Sequence, residues 1–329
     1  MPWKQTRDPY HIWLSEIILQ QTRVEQGTPY YFRFVETYPT VFDLANASQE
    51  SVLKSWEGLG YYSRARNLHA AASQVVQEYG GKFPDSYEEI LKLKGVGGYT
   101  AAAIASFAFD LPYAVLDGNV FRVLSRFFGI DIPIDSTQGK KYFSQLAQDC
   151  LDKKHPADYN QAIMDFGAMV CKPVNPNCNN CPLSSHCKAY NEDRIKELPY
   201  KSKKIIRQTR FFNFLVLTDK TSVCIVQRSD NDIWKGLHQF PCMESEDLWV
   251  EVPENILSRL PDRIMNIKFS NKYKQILTHR NIEAQFVEIE LDNIPVNFEW
   301  NRVPTEDIVK YTFPKIIREY LTDRFNCII

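Results

Sequence analysis

Four cysteines, Cys171, Cys178, Cys181 and Cys187, stand in the pattern C-x6-C-x2-C-x5-C, with Pro182 directly after the third. Four thiolates in one short loop can close around a [4Fe-4S] cluster. Zinc is the rival ligand because its four-thiolate sites also use a C-x2-C pair, but structural zinc generally draws two close pairs separated by a longer stretch. The single close pair therefore favours the cluster. Cys150, Cys224, Cys242 and Cys327 are scattered, as ordinary structural thiols are. A second chemically suggestive stretch is Leu93-Lys94-Gly95-Val96-Gly97-Gly98-Tyr99-Thr100-Ala101, between two segments of helical pattern. Gly95, Val96, Gly97 and Gly98 permit a tight turn at a helix start, where unpaired N–H groups and the helix dipole hold a phosphate. One helix later, Leu116-Asp117-Gly118-Asn119-Val120 places a carboxylate at the opening of the next helix. Asp117 either faces the same site as the glycine turn or serves as an N-cap.

These groups need a scaffold, and the apolar rhythm supplies it. From residue 10 to about residue 190 the apolar residues recur at three- and four-residue spacing, which predicts an all-helical half. From Phe211 the rhythm shortens. Phe211 to Thr218, Val223 to Arg228 and Ile282 to Leu291 are Val-, Ile- and Phe-rich and bounded by turn residues, which predicts strands in a second, mixed α and β domain. The expected organisation is a helical domain over 1–190, a linker over 191–210 and a second domain over 211–329. The chain has 329 residues, 44% hydrophobic and 24% charged, which excludes global disorder. No apolar run is long enough for a membrane span and no signal peptide is evident, so a cytosolic location is expected. The formal net charge of −1 does not advertise a nucleic-acid partner. Residues 194–210 of the linker are locally basic: Arg194, Lys196, Lys201, Lys203, Lys204, Arg207 and Arg210 stand against Glu197 alone, either as phosphate contacts or as a solvated charged linker.

Two further segments complete a pattern: Trp13-Leu14-Ser15-Glu16-Ile17-Ile18-Leu19-Gln20-Gln21-Thr22 and Trp56-Glu57-Gly58-Leu59-Gly60-Tyr61-Tyr62-Ser63-Arg64-Ala65-Arg66-Asn67-Leu68. With the hairpin, the Leu-Asp-Gly-Asn segment and the cysteine loop, the sequence resembles the MutY family of adenine DNA glycosylases, within the endonuclease III superfamily. The resemblance implies a multidomain α and α+β fold, in which a helix-hairpin-helix glycosylase domain with an iron-sulfur loop precedes a C-terminal Nudix-like domain. It implies hydrolytic excision of adenine mispaired with 8-oxoguanine or guanine in double-stranded DNA, by a monomer carrying a [4Fe-4S] cluster on its four clustered cysteines.

An N-glycosidic bond breaks when the leaving base is protonated and the oxocarbenium-like sugar is met by negative charge, work suited to two carboxylates of opposite protonation. Glu16 has apolar neighbours in sequence that would raise its pKa. By resemblance it protonates adenine and helps activate the attacking nucleophile, while Asp117 stays ionised beside the sugar. Tyr99 stands where related bifunctional enzymes carry the lysine that attacks the sugar. A phenol forms no Schiff base, so Tyr99 implies a monofunctional enzyme in which it and Asn119 position Asp117 or the nucleophile. Gln21, Thr22, Leu59 and Tyr61 match family residues that wedge into the duplex and contact the oxidised guanine. Trp3, Leu19 and Gln161 match adenine-pocket positions.

In the second domain, Trp234-Lys235-Gly236-Leu237-His238-Gln239-Phe240-Pro241 is similar to the Nudix segment before its metal helix. The carboxylate array that holds Mg2+ in Nudix hydrolases does not follow, so a binding role is expected. Leu277-Thr278-His279 stands where the family commonly has Phe-Ser-His and is expected to read 8-oxoguanine, against the alternative of a plain hairpin turn. Family members also commonly carry about a helix more before Pro2-Trp3. Two rival readings are a bifunctional enzyme acting on oxidised pyrimidines, opposed by Tyr99, and a non-enzymatic DNA-damage sensor, opposed by the intact Glu16 and Asp117.

Overall fold

The computed structural model describes residues 1–202, 206–229, 232–260, 263–295 and 298–325. Lys203 and Lys204 of the basic linker, and Cys327, lie outside them. The chain forms two compact units, Met1–Ala47 with Arg64–Lys204, and Ser48–Ser63 with Ile205–Ile329. Sequence rhythm places 48–63 within the helical half, but its contacts group it with the second unit, because local periodicity carries no information about long-range partners.

The helices run α1 (Pro9–Leu19), α2 (Val24–Thr37), α3 (Val41–Asn46), α4 (Gln49–Ser55), α5 (Ser63–Tyr79), α6 (Tyr87–Lys92), α7 (Gly98–Phe109), α8 (Gly118–Phe128), α9 (Thr137–Cys150), α10 (Pro156–Met169) and α11 (Lys188–Asn191). Their boundaries follow capping chemistry. Asp8 accepts from Tyr10 N at the start of α1, with Pro9 in the first turn. Ser86 and Ser136 cap α6 and α9, and Gly129 ends α8 in the left-handed conformation. Helices α1 and α7 are apolar on nearly every face and lie at the centre of the first unit. Trp13, Leu14 and Ile18 are fully buried, as is the alanine-rich stretch Ala101 to Ala105. The two helices pack together, so Glu16 and Tyr99 start from elements already in contact.

The second unit is built on an eight-stranded sheet comprising β1 (Gln208–Thr218), β2 (Ser222–Gln227), β3 (His238–Gln239), β4 (Cys242–Ser245), β5 (Ile264–Phe269), β6 (Tyr273–Ile276), β7 (Arg280–Leu291) and β8 (Asn301–Pro304). The main path runs β3-β2-β1-β7-β5, with β1 and β7 parallel from Gln208↔Arg280 to Thr218↔Glu290 and the remaining pairs antiparallel. Period-two alternation splits β1 between two cores: Phe212, Phe214 and Val216 face one side, Leu215 and Leu217 the other. The first of these cores is covered by Ile316, Ile317, Tyr320 and Leu321, from the last helix (Lys315–Phe325). Between β4 and β5 the described residues hold one short helix, Glu254–Leu257. Among the described residues no helix is long and apolar enough to cross a membrane.

Candidate active site and cysteine loop

A cleft of roughly 990 Å³ opens in the first unit. Its walls bring together Trp3, Glu16, Leu19, Gln21, Thr22, Gly95, Gly97, Gly98, Tyr99, Asp117, Asn119 and Gln161, residues spread over some 160 positions of the chain. Glu16 projects from α1. Its accessible side is the cleft itself, yet burial is the main reason its carboxyl is pushed up to about 7. The nearby Asp117 adds to the rise, and a hydrogen bond from the Tyr99 hydroxyl opposes it. The Tyr99 phenol is driven well above its ordinary value, first by burial and then by the two carboxyls. A protonatable acid, a neutral phenol and a second carboxyl thus share one wall.

Asp117 does cap α8. One carboxyl oxygen accepts from Asn119 N at 2.9 Å and Val120 N at 2.8 Å, and the other accepts from Asn119 Nδ2 at 2.8 Å. The cap and the cleft position are compatible, because the three donors orient the carboxyl while Asp117 still lines the opening. Asn119 Oδ1 in turn accepts from Arg122 Nη2 at 2.9 Å. Arg122 also donates to Gly167 O and Cys171 O, both at 2.6 Å, so one buried guanidinium ties the start of α8 to α10 and to the first cysteine.

Sequence reasoning assigned no role to Arg122 or to Arg64. Arg64 Nη1 donates to Ile17 O, Ile18 O and Gln20 O at 3.0, 2.8 and 2.6 Å, closing the open carbonyl end of α1 just beyond Glu16. Arg122 interrupts the apolar run Val120 to Leu124, which was the available signal, whereas Arg64 among Ser63, Ala65 and Arg66 gave none; both are more than nine-tenths buried. Lys4, beside Trp3, was likewise missed and is held on the cleft wall by both oxygens of Asp165 at 2.9 Å. Trp3 is buried edge-on against Tyr31, with ring centroids 5.0 Å apart.

At the hairpin, Val96 is buried and its N–H is bonded to Leu93 O, while Gly95, Gly97 and Gly98 are exposed. Gly95 has φ +77°, and a Cβ there would stand 2.6 Å from Asn67 Cβ. Gly95→Ala is therefore expected to cost about 2 kcal/mol through backbone strain and this collision. Chemical denaturation checks it, and a midpoint equal to wild type would contradict the geometry.

The four cysteines Cys171, Cys178, Cys181 and Cys187 form no disulfide and line one small hollow. Burial raises the Cys178 thiol and its three sulfur neighbours raise it further; burial likewise raises Cys187. Among the described residues no three His, Cys, Asp or Glu side chains converge as one bound ion requires. Four sulfur donors around one hollow are the all-thiolate donor set that a [4Fe-4S] cluster takes. Arg126 reinforces the loop, donating to Lys172 O at 2.7 Å and reaching Cys171 Sγ at 3.5 Å.

In the second unit, Leu59 is buried and Tyr61 is about half exposed, with φ +49°. The Tyr61 hydroxyl and Thr278 Oγ1 are 2.6 Å apart. Leu277 packs against the sheet core, and its N–H bonds Arg280 O at 2.8 Å, forming a hairpin turn on which His279 is exposed. Three linker cations have structural partners. Arg194 pairs with Asp131, Glu192 and Glu197, Arg207 donates to Leu277 O, and Arg210 grips Glu244 and Asp232.

Fold and site together define a base-excision DNA repair protein of the helix-hairpin-helix kind. Residues 14–149 match the HhH-GPD superfamily base excision DNA repair proteins, and residues 213–323 match the NUDIX domain. The chain belongs to the adenine DNA glycosylase family. It is 36% identical over 303 residues to the adenine DNA glycosylase of Buchnera aphidicola subsp. Baizongia pistaciae, covering 90% of this chain and 83% of that one. It is 44% identical over 211 residues to the adenine DNA glycosylase of Rattus norvegicus, covering 60% of this chain and 41% of that one. Among solved structures, a thermostable thymine-DNA glycosylase superposes with a TM-score of 0.55 at 33% identity, covering 58% of this chain and 88% of that one. A non-covalent endonuclease III–DNA complex shares the fold, with a TM-score of 0.52 at 24% identity over 57% of this chain and 86% of that one.

Proposed function

We propose that this chain hydrolyses the N-glycosidic bond of adenine mispaired with 8-oxoguanine or guanine in duplex DNA and leaves an abasic site. The observation that carries the reading is Glu16, held protonated up to about pH 7 beside Tyr99 and Asp117 on one cleft wall. Protonated Glu16 supplies the proton that makes adenine a competent leaving group, and its conjugate base then accepts a proton from the attacking water. Asp117, oriented by the start of α8, sets negative charge beside the developing sugar cation. Tyr99 and Asn119 hold these two groups in place, and Trp3, Leu19 and Gln161 enclose the base.

No Schiff base forms at position 99, and the cleft's lysine, Lys4, is engaged by Asp165, which supports a monofunctional reaction. Gly97 and Gly98, at the exposed start of α7, suit a backbone phosphate, with Gly95 and Val96 shaping the turn. Gln21, Thr22, Leu59 and Tyr61 contact the opposite base and fill its stack, and Leu277, Thr278 and His279 read its oxidised edge. The Tyr61–Thr278 hydrogen bond supports joint action of wedge and reader. The domain reading is a glycosylase region over 1–190, a linker over 191–210 and a reader over 211–329. The test is release of free adenine from duplexes in which adenine faces 8-oxoguanine, guanine or thymine. Fast release from the first two alone is expected; equal release from all three would contradict the reader assignment.

Cys171, Cys178, Cys181 and Cys187 would hold a [4Fe-4S] cluster, which supplies a rigid four-point crosslink for the loop when bound. Arg122 and Arg126 then connect that loop to α8. Purified protein is expected to carry about four iron atoms and four sulfides per chain, and Cys181→Ser to lose them. About one zinc per chain and no sulfide would overturn the assignment.

A further inference from the structure

Within the second unit, the turn that bears Leu59 and Tyr61 is held at both ends. At one end is the Tyr61–Thr278 bond. At the other is Glu57, whose side chain is only 8% exposed. One Glu57 oxygen accepts from Phe313 N at 3.1 Å, and the other accepts from Lys54 Nζ at 2.7 Å. Lys54 also donates to Tyr311 O at 3.2 Å, so this acid–lysine pair grips the backbone of the 311–313 segment on both sides of Thr312. That segment is itself fixed to β3, since His238 N donates to Thr312 O at 2.8 Å and the His238 ring lies edge-on to Tyr311 at 4.7 Å. Between the two anchors, Gly58 and Gly60 have φ of 93° and 81°, which glycine adopts freely, and Tyr61 has φ of 49°, which a residue with a side chain keeps only when the surrounding structure fixes it. A buried carboxylate is costly unless donors and cations surround it, and here Lys54 stands three residues before it, Phe313 N comes from 256 positions away, and Arg318 Nε lies 4.0 Å from the same oxygen as Phe313 N.

We infer that Glu57 is a positioning residue for recognition of the base opposite adenine, fixing the Leu59–Tyr61 wedge to the reader so that the two meet that base as one piece. The inference rests on the adenine-excision reading above. Its test uses the full chain and duplexes holding adenine opposite 8-oxoguanine or guanine, measuring affinity with an uncleavable adenine analogue and single-turnover rate at saturating protein. Glu57→Ala is expected to shrink the preference for 8-oxoguanine over guanine by about tenfold, the size of one lost charge-assisted hydrogen bond, with the saturating rate moving less than the preference. Glu57→Gln keeps an acceptor for Phe313 N and should recover part of the loss, and Lys54→Met should shift the preference in the same direction. These two milder variants decide the matter should Glu57→Ala fail to fold. Wild-type preference in Glu57→Gln and Lys54→Met would overturn the inference alone, as would equal losses on both duplexes that track stability. No adenine release by the wild type would overturn it together with the functional reading.

Discussion

Glu16→Gln is expected to reduce adenine excision by about 10⁴-fold, the upper range for a general acid–base, while making the protein more stable at neutral and alkaline pH. Both effects have one cause. The carboxyl lies among apolar residues of α1, close to Asp117, and titrates near 7 instead of near 4.5. The excision rate of the wild type should therefore fall as pH rises through about 7, because the proton donor is lost. Stability moves the same way. The folded chain holds this proton more tightly than the unfolded chain, so the contribution is complete below about 4.5 and gone above about 7. Its size is at most about 3.5 kcal/mol, at about 1.4 kcal/mol per pKa unit. Glutamine cannot ionise and escapes this loss, so the stability gap between variant and wild type should widen with pH in thermal melts. Equal pH dependence of the two proteins would show that Glu16 is not the titrating group.

Asp117 serves two purposes, and two substitutions separate them. Asp117→Asn keeps an oxygen for Asn119 N and Val120 N, so the start of α8 survives, but it removes the charge and turns an amide toward Asn119 Nδ2. Asp117→Ala removes both. Each is expected to slow excision by about 100- to 1,000-fold through loss of electrostatic stabilisation of the sugar cation. Only Ala should lose the cap as well, about 1 kcal/mol in chemical denaturation. A wild-type rate for Asp117→Asn would place the carboxylate's function entirely in folding.

The parts of this site that were legible in the sequence share a property: their chemistry is written in neighbouring residues. The cysteine spacing, the glycine turn and the Leu-Asp-Gly-Asn segment each describe a local loop, and the family and the two-part fold follow from them and from the change of apolar rhythm at Phe211. The roles of Arg64, Arg122 and Glu57 were not legible because the contacts that tie each across the fold go to backbone groups far along the chain. Arg64 meets carbonyls 44 to 47 positions away, Arg122 meets Cys171 O across 49, and Glu57 meets Phe313 N across 256. A carbonyl or amide has no residue identity, so no spacing rule points to it. The same limit applies in part to the linker: its run of cations left phosphate contact and a solvated charged linker both open, and Arg210 is held by Asp232 and Glu244 from elsewhere in sequence, while Arg194 meets Asp131 as well as its neighbours Glu192 and Glu197.

The most direct test of the central claim is single-turnover reaction of the full chain with an end-labelled duplex holding one adenine opposite 8-oxoguanine, analysed with and without hot alkali. Hydrolysis at Glu16 and Asp117 without a sugar-attacking amine predicts an intact strand before alkali and a break at the adenine after it. A break without alkali would contradict the role given to Tyr99, and an intact strand under both treatments would contradict excision itself.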